Sequence, residues 1–532
     1  MGRQTAGTPS EARRTGSLGL TLAAMLFAVS MTFIDQTIVA IAAPEISDEL
    51  ALSSSGVQWI VNAYLLSLAA FFALGGRLSD LYGHRRVMLI GTVLFVVSSA
   101  LCGFVPDDSF AQAWLVCFRA TQGLGAALMF PAALAVVVAV FPLERRGSAL
   151  ALFFGLSGGL TAVGPILGGW LTSWTWRAIF WVNIPVAVIA IVLTLLARIR
   201  DEPRRETLDV TGAVLVAAGM GLSVLGLMQA SAWGWSSVAT WACIAGGLLI
   251  LALFVRVELR TTRHPLITMA VFRDRAFVAD NLVLFFAMTA FVPVFFFASV
   301  YAQVSLSASP NEAGIYMLVF FAGFGVASQL GGRMLDTRGA KHPMLLGTAL
   351  GAAGFALWAH RATELSLNDQ WPYIVMAGAG IGFLLSPAST DAVNRALSAS
   401  YGEVTGITQT LRNFAAAVGL AVFGTVLTHV TTDRVLDTFE RRGFTGERSA
   451  EVARRVAESV TGHGDESEPG GSGPVSSFMR ETMDAVRMDF AEATQVVFAC
   501  MAGAMALAFV CAHLHPGGRV GDREDPTRHS NK

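Results

Sequence analysis

Asp35 sits within MTFIDQTIVA at 31–40, in a run that stays apolar from about residue 18 to 43. Arg119 stands in LVCFRATQGLGAA at 115–127, at the opening of another long apolar run. A charge in hydrocarbon costs at least ~2.5–3.5 kcal/mol, and more where it faces lipid, so each needs a partner or a use. Each lies about eight residues from the same end of its run, which places both roughly 12 Å from that boundary. A carboxylate and a guanidinium at one depth can neutralise each other. They can also carry a proton: burial favours the neutral acid, a nearby arginine favours the carboxylate, and moving the partner or admitting water toggles between them. The alternative is a static ion pair that ties two helices.

The chain that must position them has 532 residues, 54% of them hydrophobic and 14% charged, with a net charge of −1. Its mean hydropathy is +0.58. Soluble domains carry about 25% charged residues, so this is membrane-protein composition. The net charge gives no reason to expect nucleic acid as a partner. Lysine occurs only at Lys341 and Lys532, and the arginines cluster between apolar runs. The five cysteines lie within such runs without a CxxC pair, so free thiols and no metal site are expected. Arg13, Arg14 and the run after them resemble a signal peptide, but the run is too long and contains Asp35 and Gln36.

Counting stretches of about 20 apolar residues gives roughly fourteen membrane-spanning helices between 18 and 514. Loops on one side carry Arg77, Arg85, Arg86, Arg145, Arg146, Arg198, Arg256, Arg260, Arg333, Arg338 and Lys341. Those near 53–55, 107–108, 233–235 and 305–309 carry no lysine or arginine, so the positive-inside rule makes both termini cytoplasmic. Trp59, Trp114, Trp174, Trp176, Trp233 and Trp371 fall near outer ends, where interfacial aromatics belong. A long polar segment, 430–488, lies outside; SAEVARRVAESV within it reads as an amphipathic helix and GDESEPGGSGP as a flexible break.

The loops hide a repeat. GGRLSDLYG at 75–83 matches GGRMLDTRG at 331–339, with Asp80 and Asp336 separated by 256 residues (336 − 80), and Pro131 and Pro387 recur at the same separation. Internal repetition of a helical unit is the usual construction of secondary transporters. The expected organisation is an N-terminal tail at 1–17, a six-helix bundle at 18–200 and an inserted lipid-facing pair at 209–257. A second six-helix bundle follows at 276–514, with a tail at 515–532.

Taken together, FIDQTIVAIAAP, GGRLSDLYGHRR, the stretch around Arg119, GLSGGLTAVGPILGG at 155–169 and WTWRAIFWVNIP at 174–185 resemble the major facilitator superfamily. More narrowly, they resemble its fourteen-helix drug:proton antiporters. Leu81 and His84 depart from the basic residues usual in the loop motif. The resemblance implies two six-helix bundles plus two central helices. It implies proton-coupled export of hydrophobic drug-like or antibiotic molecules by alternating access across the cell membrane, with Asp35 and Arg119 in proton coupling and the substrate path. Gly76, Asp80, Gly83, Arg85 and Arg86 would form a cytoplasmic gate, with Gly332, Asp336 and Gly339 as its degenerate second copy.

Gly155, Gly159, Gly164, Pro165, Gly168 and Gly169 carry the pattern that goes with antiport. Their spacing alone suggests close helix packing, with Pro165 permitting a kink. No cofactor is implied beyond the proton gradient. The expected partners are a small hydrophobic substrate, protons and the lipid bilayer, with the chain working as a monomer. Alternatives are a self-resistance exporter dedicated to one host-made antibiotic, or an importer on the same fold. An enzyme is disfavoured: there is no HExxH, no GxSxG on a strand-to-helix turn and no phosphate loop.

The phenylalanines at 285, 286, 291, 295, 296 and 297 could line a cavity but are expected mostly to face lipid or neighbouring helices. Arg412 and Asp391 could contribute to the translocation path. Asp280 is expected to be solvated at the interface. The lack of a second striking acid in the spans favours neutral or weakly charged cargo.

Overall fold

A computed structural model describes residues 18–199, 206–261, 265–308, 310–395, 401–441 and 475–518. Among these every regular element is helical. Hydrocarbon offers no partner to backbone N–H and C=O groups, and helices satisfy them internally. In the first half α1 is Leu18–Glu49, α2 Ser54–Tyr82, α3 His84–Gly103, α4 Ala111–Val140 and α5 Leu143–Thr172. The tandem pair α6, Ala178–Trp181, and α7, Asn183–Leu196, forms one further rod. Then come α8, Val210–Trp233, and α9, Val238–Glu258. The second half holds α10, Arg275–Val304; α11, Pro310–Arg338; α12, Lys341–Arg361; α13, Leu367–Arg395; α14, Tyr401–Arg441; and α15, Val475–Leu514.

Among the described residues these make fourteen long rods, of which twelve are long and apolar enough to cross a membrane, against the roughly fourteen crossings expected. The other two, α5 and α12, are glycine-rich: α5 packs on α1 and α11, and α12 on α13 and α15, each with one face left exposed. Breaks between rods follow local chemistry. Gly83, at φ 98°, lets α2 turn directly into α3. The carboxylate of Asp209 accepts from the Gly212 N–H at 3.0 Å, and that of Asp274 from Ala276 at 2.8 Å, starting α8 and α10.

The repeat read from the loops is carried into packing. A Cβ on Gly75 of α2 would stand 2.1 Å from the Ala127 carbonyl of α4. In the second half, a Cβ on Gly331 of α11 would stand 2.6 Å from the Phe383 carbonyl of α13, and both of these residues are offset by 256 from their counterparts. The halves meet reciprocally: α5 packs on α11 and α13, and α14 packs on α2 and α4. Of the inserted pair, α8 lies along α2 and α14, while α9 rests on α8 and exposes Val238, Trp241, Leu249 and Leu253 outward. Only α9 therefore fits the description of a lipid-facing linker.

Three expectations change. Helix α1 runs beyond 43 to Glu49, and α14 and α15 extend into the segment read as an external loop. The 41 residues of α14 reach roughly 60 Å, about twice the hydrocarbon thickness, so its end projects beyond the membrane. There it pairs with the start of α15 through Val435, Phe439 and Val486, an Arg434–Glu492 ion pair at 2.5 Å, and a 3.0 Å bond from Thr438 to Asp489. Residues 442–474, with the amphipathic stretch and the glycine-rich break, lie outside the described residues. Trp176 is no interfacial aromatic: it is 2% exposed. The five cysteines are free thiols.

Glycine contacts give a test. A Cβ at Gly378 would lie 2.1 Å from the Phe320 carbonyl, whereas Gly503 has nothing within 4 Å. Gly378→Leu should cost about 1–3 kcal/mol or more through overpacking and lower the melting temperature of detergent-purified protein. Gly503→Leu should leave it unchanged.

Candidate functional site

Asp35 and Arg119 meet as their depths require. Arg119 Nη1 donates to Asp35 Oδ2 at 2.5 Å, and both residues are 1% exposed. Gln122, one turn after Arg119, donates to Asp35 Oδ1 at 2.8 Å and accepts from Arg119 Nη1 at 2.8 Å. Arg119 Nε reaches the Ile60 carbonyl at 3.1 Å, and the guanidinium lies 4.4 Å from the centre of the Tyr64 ring. The carboxylate is thus matched on both oxygens and the cation on three sides. Removing one partner of such a pair strands a buried charge, at about 3–5 kcal/mol. Gln122 and Tyr64 were not singled out in the sequence; the signal available was Gln122 at i+3 in RATQG.

The loop repeats join the halves. Asp80, 4% exposed, accepts at both oxygens from α14: Gly402 N–H at 3.0 Å and Glu403 N–H at 2.8 Å. These are unsatisfied first-turn donors of α14, a natural anion site. Gly76 makes the approach possible, since a Cβ there would sit 2.2 Å from the Gly402 carbonyl. Asp336 does the reciprocal thing, accepting from Ser148 of α5 at 2.8 Å. Gly83 and Gly339 supply the turns behind them at φ 98° and 78°. Gly332 is buried, Arg85 half-buried and Arg86 exposed, so Arg86 does not enter the seam. Arg146, not singled out for a role, bonds Asn394 at 3.1 Å and lies over the Tyr401 ring. These hydrogen bonds between α1–α7 and α10–α15, with that from Ser328 to Ala151, lie in the arginine-rich half.

Helix α5 has two working faces. Gly155 lies against Ser328 of α11, whose hydroxyl donates to the Ala151 carbonyl at 3.1 Å. Gly164 and Gly168 press on Ile34, Thr37 and Ile38 of α1, the helix that carries Asp35. Gly169 is half-buried. The surroundings of Gly159 and Pro165 lie outside the described residues.

Asp280 is not solvated. It is fully buried with Asp391, Arg395 and His515, the last from what was read as a tail. Arg395 donates to Asp391 at 2.5 Å, and His515 Nε2 lies 3.0 Å from Asp391 and 3.5 Å from Asp280. Asp280, Asp391 and His515 are close enough to hold a metal ion. However, the Gly517 N–H donates to His515 Nδ1 at 3.1 Å, which puts the proton of neutral imidazole on Nε2, facing the carboxylates. The ring thereby serves as a donor rather than a ligand. The phenylalanines of α10 are mostly packing: Phe291 stacks on Phe324 and Phe295 on Phe321, while Phe296 faces outward.

At the opposite end, Glu49 accepts from Trp176 at 2.6 Å and pairs with Arg177, which also holds Asp107 at 2.7 Å. The hydrogen bond from Arg177 keeps the Glu49 carboxyl below its usual range. This clamp closes α1, α6 and the loop after α3 on one another.

The sequence model of the Major Facilitator Superfamily matches residues 25–420. The tetracenomycin C resistance and export protein of Streptomyces glaucescens is 33% identical over 82% of each chain. The cephamycin export protein CmcT of Amycolatopsis lactamdurans is 33% identical over 78% of this chain and 87% of its own. The puromycin resistance protein pur8 of Streptomyces alboniger is 32% identical over 80% and 84%. Among solved structures, the human organic anion transporter MFSD10 (TETRAN) superposes with a TM-score of 0.56 at 12% identity, over 94% of this chain and 100% of its own. That likeness bears on fold alone.

The Asp80 seam is testable. Asp80→Ala leaves two buried N–H donors without acceptors, a loss of about 1–3 kcal/mol for each. Spin labels at the exposed positions Arg86 and Arg338, one in each half, should report a single short distance in the parent protein and an added longer one in Asp80→Ala, by double electron–electron resonance.

Proposed function

The chain belongs to the Major Facilitator Superfamily and is a multi-pass membrane protein, and on that premise we propose that it exports hydrophobic, drug-like molecules in exchange for protons. The observation that carries this reading is the sealed Asp35–Arg119–Gln122 cluster, a titratable acid held by a cation where a rearrangement of helices can separate them. The names of relatives over most of their length supply the direction, since three are resistance or export proteins for antibiotics.

In this reading the arginine-rich ends are cytoplasmic, and the Asp80 and Asp336 seams hold that side shut. Opening them lets α1 and α5 move together through Gly164 and Gly168. Asp35 then takes a proton when its mate withdraws and returns it when the pair re-forms. Cargo and proton compete for the same rearrangement, so inward proton flow drives outward cargo flow by alternating access.

A narrower reading is a dedicated self-resistance exporter for a single antibiotic. It draws on the same relatives, each named for one compound. A susceptibility panel on an expressing strain separates the two: one protected compound supports the dedicated exporter and many support the broad one.

Proton coupling is read in inverted vesicles. Cargo added to energised vesicles should dissipate the proton gradient in the parent protein. Asp35→Asn should abolish this while the protein still inserts and elutes as a single species. Unimpaired, gradient-driven transport in Asp35→Asn would remove Asp35 from the mechanism.

A further inference from the structure

Arg412 lies eleven residues into α14, roughly 16 Å from its arginine-rich end. It is 7% exposed, and its guanidinium lies 5.2 Å from the centre of the Phe154 ring on α5. The side chain therefore reaches from one half of the molecule to the other. Nη1 donates to Gln409 at 2.6 Å, and among the described residues Nε has no acceptor. Among the described residues no carboxylate pairs with it. Asp35 is held by Arg119, Asp80 by the start of α14, and Asp391 by Arg395. On the same face, one and two turns earlier, the buried Thr408 and Thr405 hydroxyls also lack partners among the described residues.

Arg119, at 1% exposure, shows what a buried arginine normally requires: a carboxylate, a carbonyl and an amide oxygen. Among the described residues Arg412 has an amide oxygen and an aromatic face, but no carboxylate. A buried cation without a counter-charge is unfavourable by several kcal/mol, and an arginine stays charged in this setting.

We propose that Arg412, with Gln409, Thr405 and Thr408, is the polar end of the cargo site, and that it takes an acidic group, a carboxylate or phenolate, carried on an aromatic cargo that packs against Phe154. The proposal rests on the export reading and names its substrate class. A carboxylate or phenolate supplies the missing negative charge and accepts from Nε and the hydroxyls, whereas a cationic drug meets like charge.

Two dyes with one xanthene core and opposite charge provide the test: fluorescein, an anion at neutral pH, and rhodamine 123, a cation. Binding is measured by fluorescence anisotropy on the purified full chain without any gradient. The parent protein should hold fluorescein about tenfold or more tightly than rhodamine 123, the scale of one charge-assisted hydrogen bond. Arg412→Gln should abolish that preference and Arg412→Lys should keep most of it. Arg412→Met, which removes the charge, should raise the ligand-free melting temperature.

Failure of fluorescein to bind, an unchanged preference in Arg412→Gln, or a fall in melting temperature in Arg412→Met would each overturn the proposal. A parent protein that prefers the anion but never drives efflux would refute export and leave this site standing. Efflux of both dyes with a preference indifferent to Arg412 would do the reverse.

Discussion

Two opposite charges, 2.5 Å apart and shut away from water, set the terms for the first half of this molecule. Neither Asp35 nor Arg119 is tolerable alone in a medium that solvates no ion, so α1 and α4 must arrive at one depth and in one rotation. Gln122 and the Ile60 carbonyl complete the shell, which ties α2 in as well. Helix α5 then clasps α1 through Gly164, where a Cβ would stand 2.0 Å from the Thr37 hydroxyl, and more loosely through Gly168, so α5 packs directly on the helix that carries the carboxylate.

The two halves relate to each other by exchange. Each contributes an acid from its loop repeat to the opening turns of the partner's equivalent helix: Asp80 to α14, and Asp336 to α5. Such crossed contacts lie at one end, and α8 adds a bridge by lying along both α2 and α14, with the Trp235 indole beyond it donating to Thr425.

Much of this was legible in the residues, for definite reasons. Asp35 and Arg119 could be matched because depth along a helix is simple counting and because burial forces charges to find each other. The two-half organisation could be read because GGRLSDLYG and GGRMLDTRG sit at one offset, which the Gly75–Ala127 and Gly331–Phe383 contacts reproduce. Rotation about each helix was not legible. Asp280 and His515 look peripheral by position, and only the packing of α10, α13 and α15 turns them inward. Arg412 was noticed, but its want of a counter-charge is a property of its neighbours rather than of its own stretch. The ends of α14 and α15 were missed for another reason: they are polar, and a hydropathy reading stops where the membrane does.

The grip of Asp80 has a consequence for how this architecture drifts over time. Its ligands are peptide N–H groups, which every residue but proline offers, so the identity of position 403 is left open by the contact. Pairs of positions that change in concert would not reveal it, and a survey of correlated substitutions would pass over one of the contacts that join the two halves.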